Sequence, residues 1–209
     1  MLRRPGERGL AGIAAVLEWL GAVVLGLLFV IVMLAVLRRY LFGAGLIWSD
    51  ELAIWLNVAL VALGMPLAAT SALSMRLDVL VRLLPRSGQR LAAILADAVA
   101  VHGALVIAIG GASVAALVGG TSTVLGLPES LRFATFAAGG GLTVLLLLWR
   151  GALDRSLAAA LASLVLGGGL YLAAQSTTGL VLGTPSLVAA LAAGLGLLIG
   201  APLPFALLA

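Results

Sequence analysis

Residues 19–60 read WLGAVVLGLLFVIVMLAVLRRYLFGAGLIWSDELAIWLNVAL, which is two apolar runs separated by four charges. The first run, from Trp19 to Leu37, carries no charge and ends at two arginines. The second run begins directly after two carboxylates and a Trp-Ser pair. A helix needs about 20 apolar residues to cross roughly 30 Å of hydrocarbon. Each run therefore predicts a transmembrane helix, and the four charges mark the point where the chain leaves one helix and starts the next.

The composition extends this conclusion to the whole chain. Of its 209 residues, 63% are hydrophobic and only 10% are charged, whereas a soluble domain has about 25% charged residues. Too few polar side chains are present to cover a water-soluble body, so the sequence indicates an integral membrane protein. The chain has no Cys, which excludes disulfides and Cys-ligated metals. The arginines stand singly or in pairs between apolar runs, a placement typical of membrane topology and not of nucleic-acid binding.

The uncharged runs predict six crossings, and backbone groups in hydrocarbon must pair internally, so the predicted fold class is an all-α membrane protein. The third helix is expected to start near Leu91. The last uncharged stretch is long enough for two crossings and is interrupted by Ser, Thr, Gly and Pro. The uncharged runs are residues 19–37, 52–75, 98–128, 133–149 and 156–209.

The arginines predict the orientation of these helices. Nine arginines lie in the N-terminal segment, the second connection and the fourth connection, and three lie in the first and third connections. Because arginine is retained on the cytoplasmic side, the N-terminus is predicted to be cytoplasmic. The first and third connections then face away from the cytoplasm. The majority group is Arg3, Arg4, Arg8, Arg76, Arg82, Arg86, Arg90, Arg150 and Arg155, and the minority group is Arg38, Arg39 and Arg132.

Four polar side chains within the apolar runs are candidates for function, because charges inside a membrane are costly. Glu18 is expected to reach the cytoplasmic interface, and the Asn57 amide to pair with a neighbouring helix. Asp97 either reaches the interface or pairs with an arginine, and a role in proton transfer is the alternative. His102 follows Asp97 by five residues, so the two diverge by about 140° around a helix and do not form a dyad.

The glycine-rich stretches predict helix packing. Triplets occur at 139–141 and 167–169, and small residues let membrane helices approach closely. No phosphate-binding Gly-Lys-Ser or Gly-Lys-Thr sequence is present, and no recognisable nucleophile and base are paired, which argues against an intramembrane enzyme.

The second connection, MRLDVLVRLLPRSGQR (residues 75–90), is amphipathic. Asp78 and Arg82 are four residues apart and can pair along a helix. This segment is expected to form a short helix on the cytoplasmic surface of the membrane, in contact with lipid headgroups.

Three motifs resemble one known family. RRYLF (38–42), WSDELA (48–53) and the Arg-x-Asp of MRLDVL (75–80) resemble the DctQ-like small membrane subunit of tripartite ATP-independent periplasmic (TRAP) transporters. The Gly-Gly-His that precedes Arg-x-Asp in the family pattern is absent. The tail, with Gly200, Pro202, Phe205 and Ala206, resembles the first helix of the large TRAP permease subunit.

The resemblance implies three segments: a four-helix small-subunit bundle (1–150), a linker transmembrane helix (151–178) and a truncated first helix of a fused large permease (179–209). It implies a non-catalytic, multi-pass subunit of the bacterial inner membrane, working in sodium-coupled uptake of organic acids. Its partners would be the large permease subunit, a periplasmic substrate-binding protein and membrane lipid, with no nucleic acid. No cofactor is expected in this chain, because sodium coupling would reside in the large subunit.

The residues expected at partner interfaces or helix ends are Arg38, Arg39, Trp48, Asp50, Glu51, Arg76 and Asp78. The two carboxylates are expected to favour the positive N-terminal end of the second helix, with Ser49 as its N-cap. The arginine pair favours the negative end of the first helix, and the two pairs can attract one another across the loop. The alternative is an autonomous small transporter or exporter that moves a solute through Asp97, His102 or Asn57.

Overall fold

The computed structural model describes residues 5–70, 81, 84–154 and 156–177, and over these residues the chain forms five helices. The helices are α1 (Pro5–Phe42), α2 (Ile47–Thr70), α3 (Arg86–Leu117), α4 (Ser130–Asp154) and α5 (Leu157–Thr177). All five are long and apolar enough to cross a membrane. The fold is therefore that of a helical multi-pass membrane protein. The sixth predicted crossing, in residues 179–209, lies outside the described residues, as does most of the expected surface helix in the second connection.

The ends of α1, α3 and α4 differ from the predicted ones. α1 has 38 residues, or about 57 Å of length, so it extends well beyond roughly 30 Å of hydrocarbon. Glu18 is an exposed residue within α1. α3 begins at Arg86, five residues before the expected Leu91, and ends at Leu117, leaving residues 118–129 as a loop. α4 continues past the predicted segment boundary at residue 150 and ends at Asp154.

The bundle is organised around α3 and α4. These two helices pack most extensively against each other, α2 packs on α4, and α5 packs on α3 and also contacts α4. α1 packs mainly on α2 and leaves most of its apolar side chains exposed. The buried core lies where α2, α3 and α4 meet and consists mostly of small residues, with Ala69, Ala100, Val101, Ala104 and Leu147 as its members. Small core residues allow the close helix approach that membrane packing requires.

Four glycines lie where two helices approach most closely. A Cβ atom at Gly140 would be 2.8 Å from both the Ala104 carbonyl oxygen and the Ala108 nitrogen of α3. At Gly111 of α3, a Cβ atom would be 2.9 Å from the backbone of α4. At Gly167 of α5, a Cβ atom would be 2.6 Å from the Ala98 carbonyl oxygen. These contacts are between backbones, so no side-chain rotation can relieve them. The predicted packing role therefore holds for these glycines, but Gly141 of the same triplet faces open space.

The fourth glycine, Gly139, packs against α2 one turn before Pro66. Pro66 is almost completely buried and has no backbone N–H, so it cannot donate a hydrogen bond to the Ala62 carbonyl one turn earlier. A Cβ atom at Gly139 would be 2.7 Å from that Ala62 oxygen, which means that the glycine backbone of α4 packs directly against it. A weak Cα–H···O contact suits such a geometry. α2 continues through Pro66 to Thr70, and the proline serves the α2–α4 contact.

Candidate functional site

Two loops lie at the same end of the bundle. The first joins α1 to α2 at residues 43–46, and the second joins α3 to α4 at residues 118–129. A direct contact between the start of α2 and the second loop brings them together. We call this end of the molecule the loop end. It gathers several of the polar side chains that an otherwise apolar bundle contains.

Glu51 makes the contact that joins the loop end. Its Oε2 atom accepts a hydrogen bond from the Val124 backbone N–H at 2.9 Å and a longer one from the Leu125 N–H at 3.4 Å. A carboxylate that accepts from consecutive backbone N–H groups makes charge-assisted hydrogen bonds, which are stronger than neutral ones. Glu51 lies in the first turns of α2. Its carboxylate accepts hydrogen bonds from the 118–129 loop, in which Val124 follows Glu51 by 73 residues. Its role is to anchor that loop.

The anchored loop is itself ordered by backbone hydrogen bonds. Ser122 N–H donates to the Leu127 carbonyl at 2.8 Å, and Glu129 N–H donates to the Gly120 carbonyl at 3.1 Å. The Ser122 hydroxyl is buried and accepts from the Leu127 N–H at 3.1 Å. Gly120 and Gly126 both have positive φ angles, 93° and 66°, which glycine adopts without steric cost. The loop therefore has a defined shape on which exposed residues can be presented.

Arg132 makes a second connection between α2 and this loop. Its guanidinium carbon lies 4.7 Å from the centre of the Trp55 ring of α2, within range of a cation–π contact. Its Nη1 atom is 3.0 Å from Glu129 Oε2, in an ion pair whose side chains are 22% and 28% exposed. Arg132 is held from both sides, and it fixes the first turn of α4 against α2.

We call Glu51, Trp55, Ser122, Glu129 and Arg132 the loop-end cluster. Glu51 Oε1, Trp55 Nε1 and Arg132 Nε are buried atoms without a hydrogen-bond partner within the described part of the chain. Buried polar atoms usually have hydrogen-bond partners. Three that lack one within a single cluster are therefore unusual. Its chemistry is that of structural anchoring: a carboxylate on backbone N–H groups and a guanidinium on a ring. Neither arrangement activates a nucleophile.

The first connection carries the other predicted interface residues. Arg38 lies 5.9 Å from the centre of the Phe42 ring, one turn along α1. Arg39 and Asp50 line one groove between α1 and α2. Trp48 is 37% exposed, as expected for an aromatic residue at a membrane interface. Among the described residues, neither arginine is within ion-pair distance of Asp50 or Glu51. The expected attraction between the two pairs therefore does not take the form of a direct contact.

One expectation for helix α2 is wrong. Ser49 is not the N-cap, because the helix already begins at Ile47, and the buried Ser49 hydroxyl donates to the Leu46 carbonyl at 2.7 Å. Asn57 is exposed on α2, so no helix of the described residues covers its side chain. Arg76 and Asp78, the two predicted residues of the second connection, lie outside the described residues.

The remaining polar candidates lie in the interior. Asp97 and His102 of α3 are both buried, and the His102 ring lies 6.4 Å from the Tyr171 ring of α5. At the opposite end of the bundle, Arg150 Nη1 donates to the Ala69 carbonyl at 2.9 Å, close to the end of α2. This hydrogen bond ties α4 to α2. These residues hold helices together and do not form one site with the loop-end cluster.

The sequence interpretation missed the 118–129 loop, Trp55 as a partner for Arg132, and Ser122. No charge interrupts residues 98–128, so the charge pattern does not separate this loop from the apolar run before it. Its turn residues, namely the Gly119-Gly120 pair, Gly126 and Pro128, were the available signal.

A comparison with protein-family models identifies a family for this chain. The model described as "Tripartite ATP-independent periplasmic transporters, DctQ component" matches residues 28–157, which is more than half of the chain. The match includes the first connection, the whole loop-end cluster and helices α2 to α4. No curated protein matches the chain. The five helices long and apolar enough to cross a membrane agree with this match, and the chain belongs to the DctQ family, the small membrane subunits of TRAP transporters.

Proposed function

We propose that this protein is the bracing and docking subunit of a sodium-coupled TRAP transporter for organic acid anions in the bacterial inner membrane. A large permease subunit carries the substrate and the sodium ions, and a periplasmic binding protein delivers the substrate. The DctQ family match supports a place in such a three-part system. In this proposal the small subunit moves no solute itself. It holds the large subunit in the bilayer and presents a surface to the binding protein.

The docking role rests on one observation, the anchoring of the 118–129 loop by Glu51. A loop that recognises a partner binds more tightly when its shape is fixed in advance, because less conformational entropy is lost on binding. The loop has internal hydrogen bonds, an anchor on α2 and exposed residues such as Thr123 and Val124. The excess of arginine at the other end favours a periplasmic position for the loop end.

The bracing role is supported by the exposed surface of α1 and α2. Asn57 is exposed on α2, about 15 Å along the helix axis from Ile47, and therefore near the middle of a hydrocarbon layer of roughly 30 Å. An amide that faces lipid at that depth is unfavourable. Ile54 and Val61 are exposed on the same side of the helix, at 51% and 46%. A large-subunit helix that covers this face would pair the amide and bury the apolar neighbours.

Site-specific photo-cross-linking in the assembled complex tests the docking role. A photo-reactive amino acid is introduced at Thr123 in the loop, or at Ser87 at the opposite end of the bundle; both positions are exposed. We expect a cross-link to the substrate-loaded binding protein from Thr123 and none from Ser87. A cross-link from Ser87, or none from Thr123 in a complex that binds the protein saturably, would contradict the docking proposal.

A further inference from the structure

The groove between α1 and α2 has a volume of about 820 Å³ and opens at the loop end. On the α1 side, Val32, Ala35 and Val36 form its apolar part, and Arg39 and Tyr40 follow one turn later. On the α2 side, its lining includes Leu46, Ile47, Asp50 and Ala53. On α1 the charge therefore lies nearer the loop end than the apolar residues, and on α2 Asp50 lies one turn from Leu46 and Ile47 at the loop end. Val32 lies about 10 Å along the helix from Arg39, so the apolar part runs toward the membrane interior.

The two charges at the mouth have opposite sign and are not paired. Arg39 and Asp50 are both exposed, and within the described residues neither takes part in an ion pair, even though both line the same groove. An ion pair between them would have filled the mouth with protein. A molecule that enters the groove therefore meets both the Arg39 guanidinium and the Asp50 carboxylate, and each can bind it. Tyr40, which is 82% exposed, adds an aromatic ring with a polar tip of the kind found at the membrane interface.

We propose that this groove is a binding site for a zwitterionic phospholipid of the phosphatidylethanolamine class. The Arg39 guanidinium binds the lipid phosphate, and the Asp50 carboxylate accepts from the lipid ammonium. One acyl chain lies along Val36, Ala35 and Val32. Charge complementarity selects this occupant, because an anionic phospholipid satisfies only the arginine and repels the carboxylate. The inference depends on the membrane location of the chain and not on its proposed transport role.

Native mass spectrometry of the purified full chain, supplied with equal amounts of phosphatidylethanolamine and phosphatidylglycerol, tests the site. We expect the ethanolamine lipid to be retained in excess by about threefold to fivefold, the size of effect that one exposed ion pair supplies. Arg39→Gln should reduce retention of both lipids. Asp50→Asn should remove the preference while phosphatidylglycerol retention stays or rises. Ala35→Trp should fill the apolar part and reduce retention of both.

Arg38→Gln is the matched control, since Arg38 is adjacent in sequence and does not line the groove. It should leave retention and preference unchanged. Lipids that merely surround the protein would show no headgroup preference and equal retention in all variants, which would overturn the proposal. The same conclusion would follow if Arg38→Gln acted like Arg39→Gln. Loss of all retained lipid on addition of the large subunit would show that a protein helix occupies the groove, and would also overturn it.

Discussion

Gly140→Leu is expected to abolish folding of the bundle. A Cβ atom at this position would be 2.8 Å from two backbone atoms of α3, the Ala104 oxygen and the Ala108 nitrogen. Backbone atoms cannot rotate away as a side chain can, so a larger side chain forces α3 and α4 apart. These are the two helices that pack most extensively in the bundle. Gly140→Ala, which adds one carbon, should destabilise the protein by about 1–3 kcal/mol, the usual cost of overpacking.

The measurement is the temperature at which the detergent-purified protein loses its monodisperse peak in size-exclusion chromatography. Gly141→Leu is the matched control, because Gly141 is the next residue of the same triplet and no neighbouring helix lies within 4 Å of the position that its Cβ atom would take. It should be neutral or slightly stabilising, since glycine is a poor helix former. Equal loss of the peak in the Gly141 variant would show that the glycine-mediated α3–α4 contact is not what distinguishes these positions.

Glu51→Ala is expected to release the 118–129 loop while the helices stay folded. The carboxylate accepts hydrogen bonds from the Val124 and Leu125 N–H groups. Alanine has no side-chain acceptor, so both N–H groups lose this hydrogen bond. Hydrogen exchange at these two amides should accelerate by roughly an order of magnitude. Substrate uptake by the assembled transporter should fall with it, because the proposed docking surface loses its fixed shape.

Asp50→Ala is the control for this experiment, since Asp50 precedes Glu51 in the chain but lines the α1–α2 groove, and the loop N–H groups of Val124 and Leu125 donate to Glu51. It should leave exchange at Val124 and Leu125 unchanged. Glu51→Gln keeps an acceptor oxygen but removes the charge, and we expect an intermediate exchange rate. Unaltered exchange in Glu51→Ala would disprove the anchor, whereas faster exchange with full uptake would separate the anchor from the proposed docking role.

Long apolar runs predict the helices well. In hydrocarbon the backbone N–H and C=O groups must bond to one another, and a helix satisfies them within one segment. The residues that set helix ends were harder to place. α3 stops at Leu117 although no charge appears before Glu129, and the only signals were turn residues. The glycine triplets predicted close packing, but the sequence does not say which member faces a neighbour. That choice depends on the rotation of each helix in the bundle, and only the structure distinguishes Gly140 from Gly141.

The charged residues of the candidate site are predictable from the sequence, but their partners are not. The four charges between α1 and α2 were recognised as helix-end residues, but the partners of Glu51 are backbone N–H groups 73 and 74 residues away. Every residue except proline carries such a group, so a backbone donor leaves no sequence signature. The Trp55–Arg132 contact likewise joins a residue of the predicted second helix to a residue predicted to lie in the third connection. Local sequence patterns do not encode which helices become neighbours.

The interior polar residues bear on the alternative of an autonomous transporter. Asp97 and His102 are buried in the bundle, and His102 faces α5, while Asn57 is on the outside. The three side chains named as candidates for solute passage therefore do not converge on one path. This separation favours packing roles for Asp97 and His102.

Reconstitution into proteoliposomes is the most direct test of the central claim that this chain is a supporting subunit. Vesicles that hold this protein alone, with an imposed sodium gradient, should show no saturable uptake of organic acid anions. Vesicles that also hold the large permease subunit should take up substrate when the loaded binding protein is added. Saturable uptake by this chain alone, lost in Asp97→Asn or His102→Ala, would contradict the account and identify an autonomous transporter.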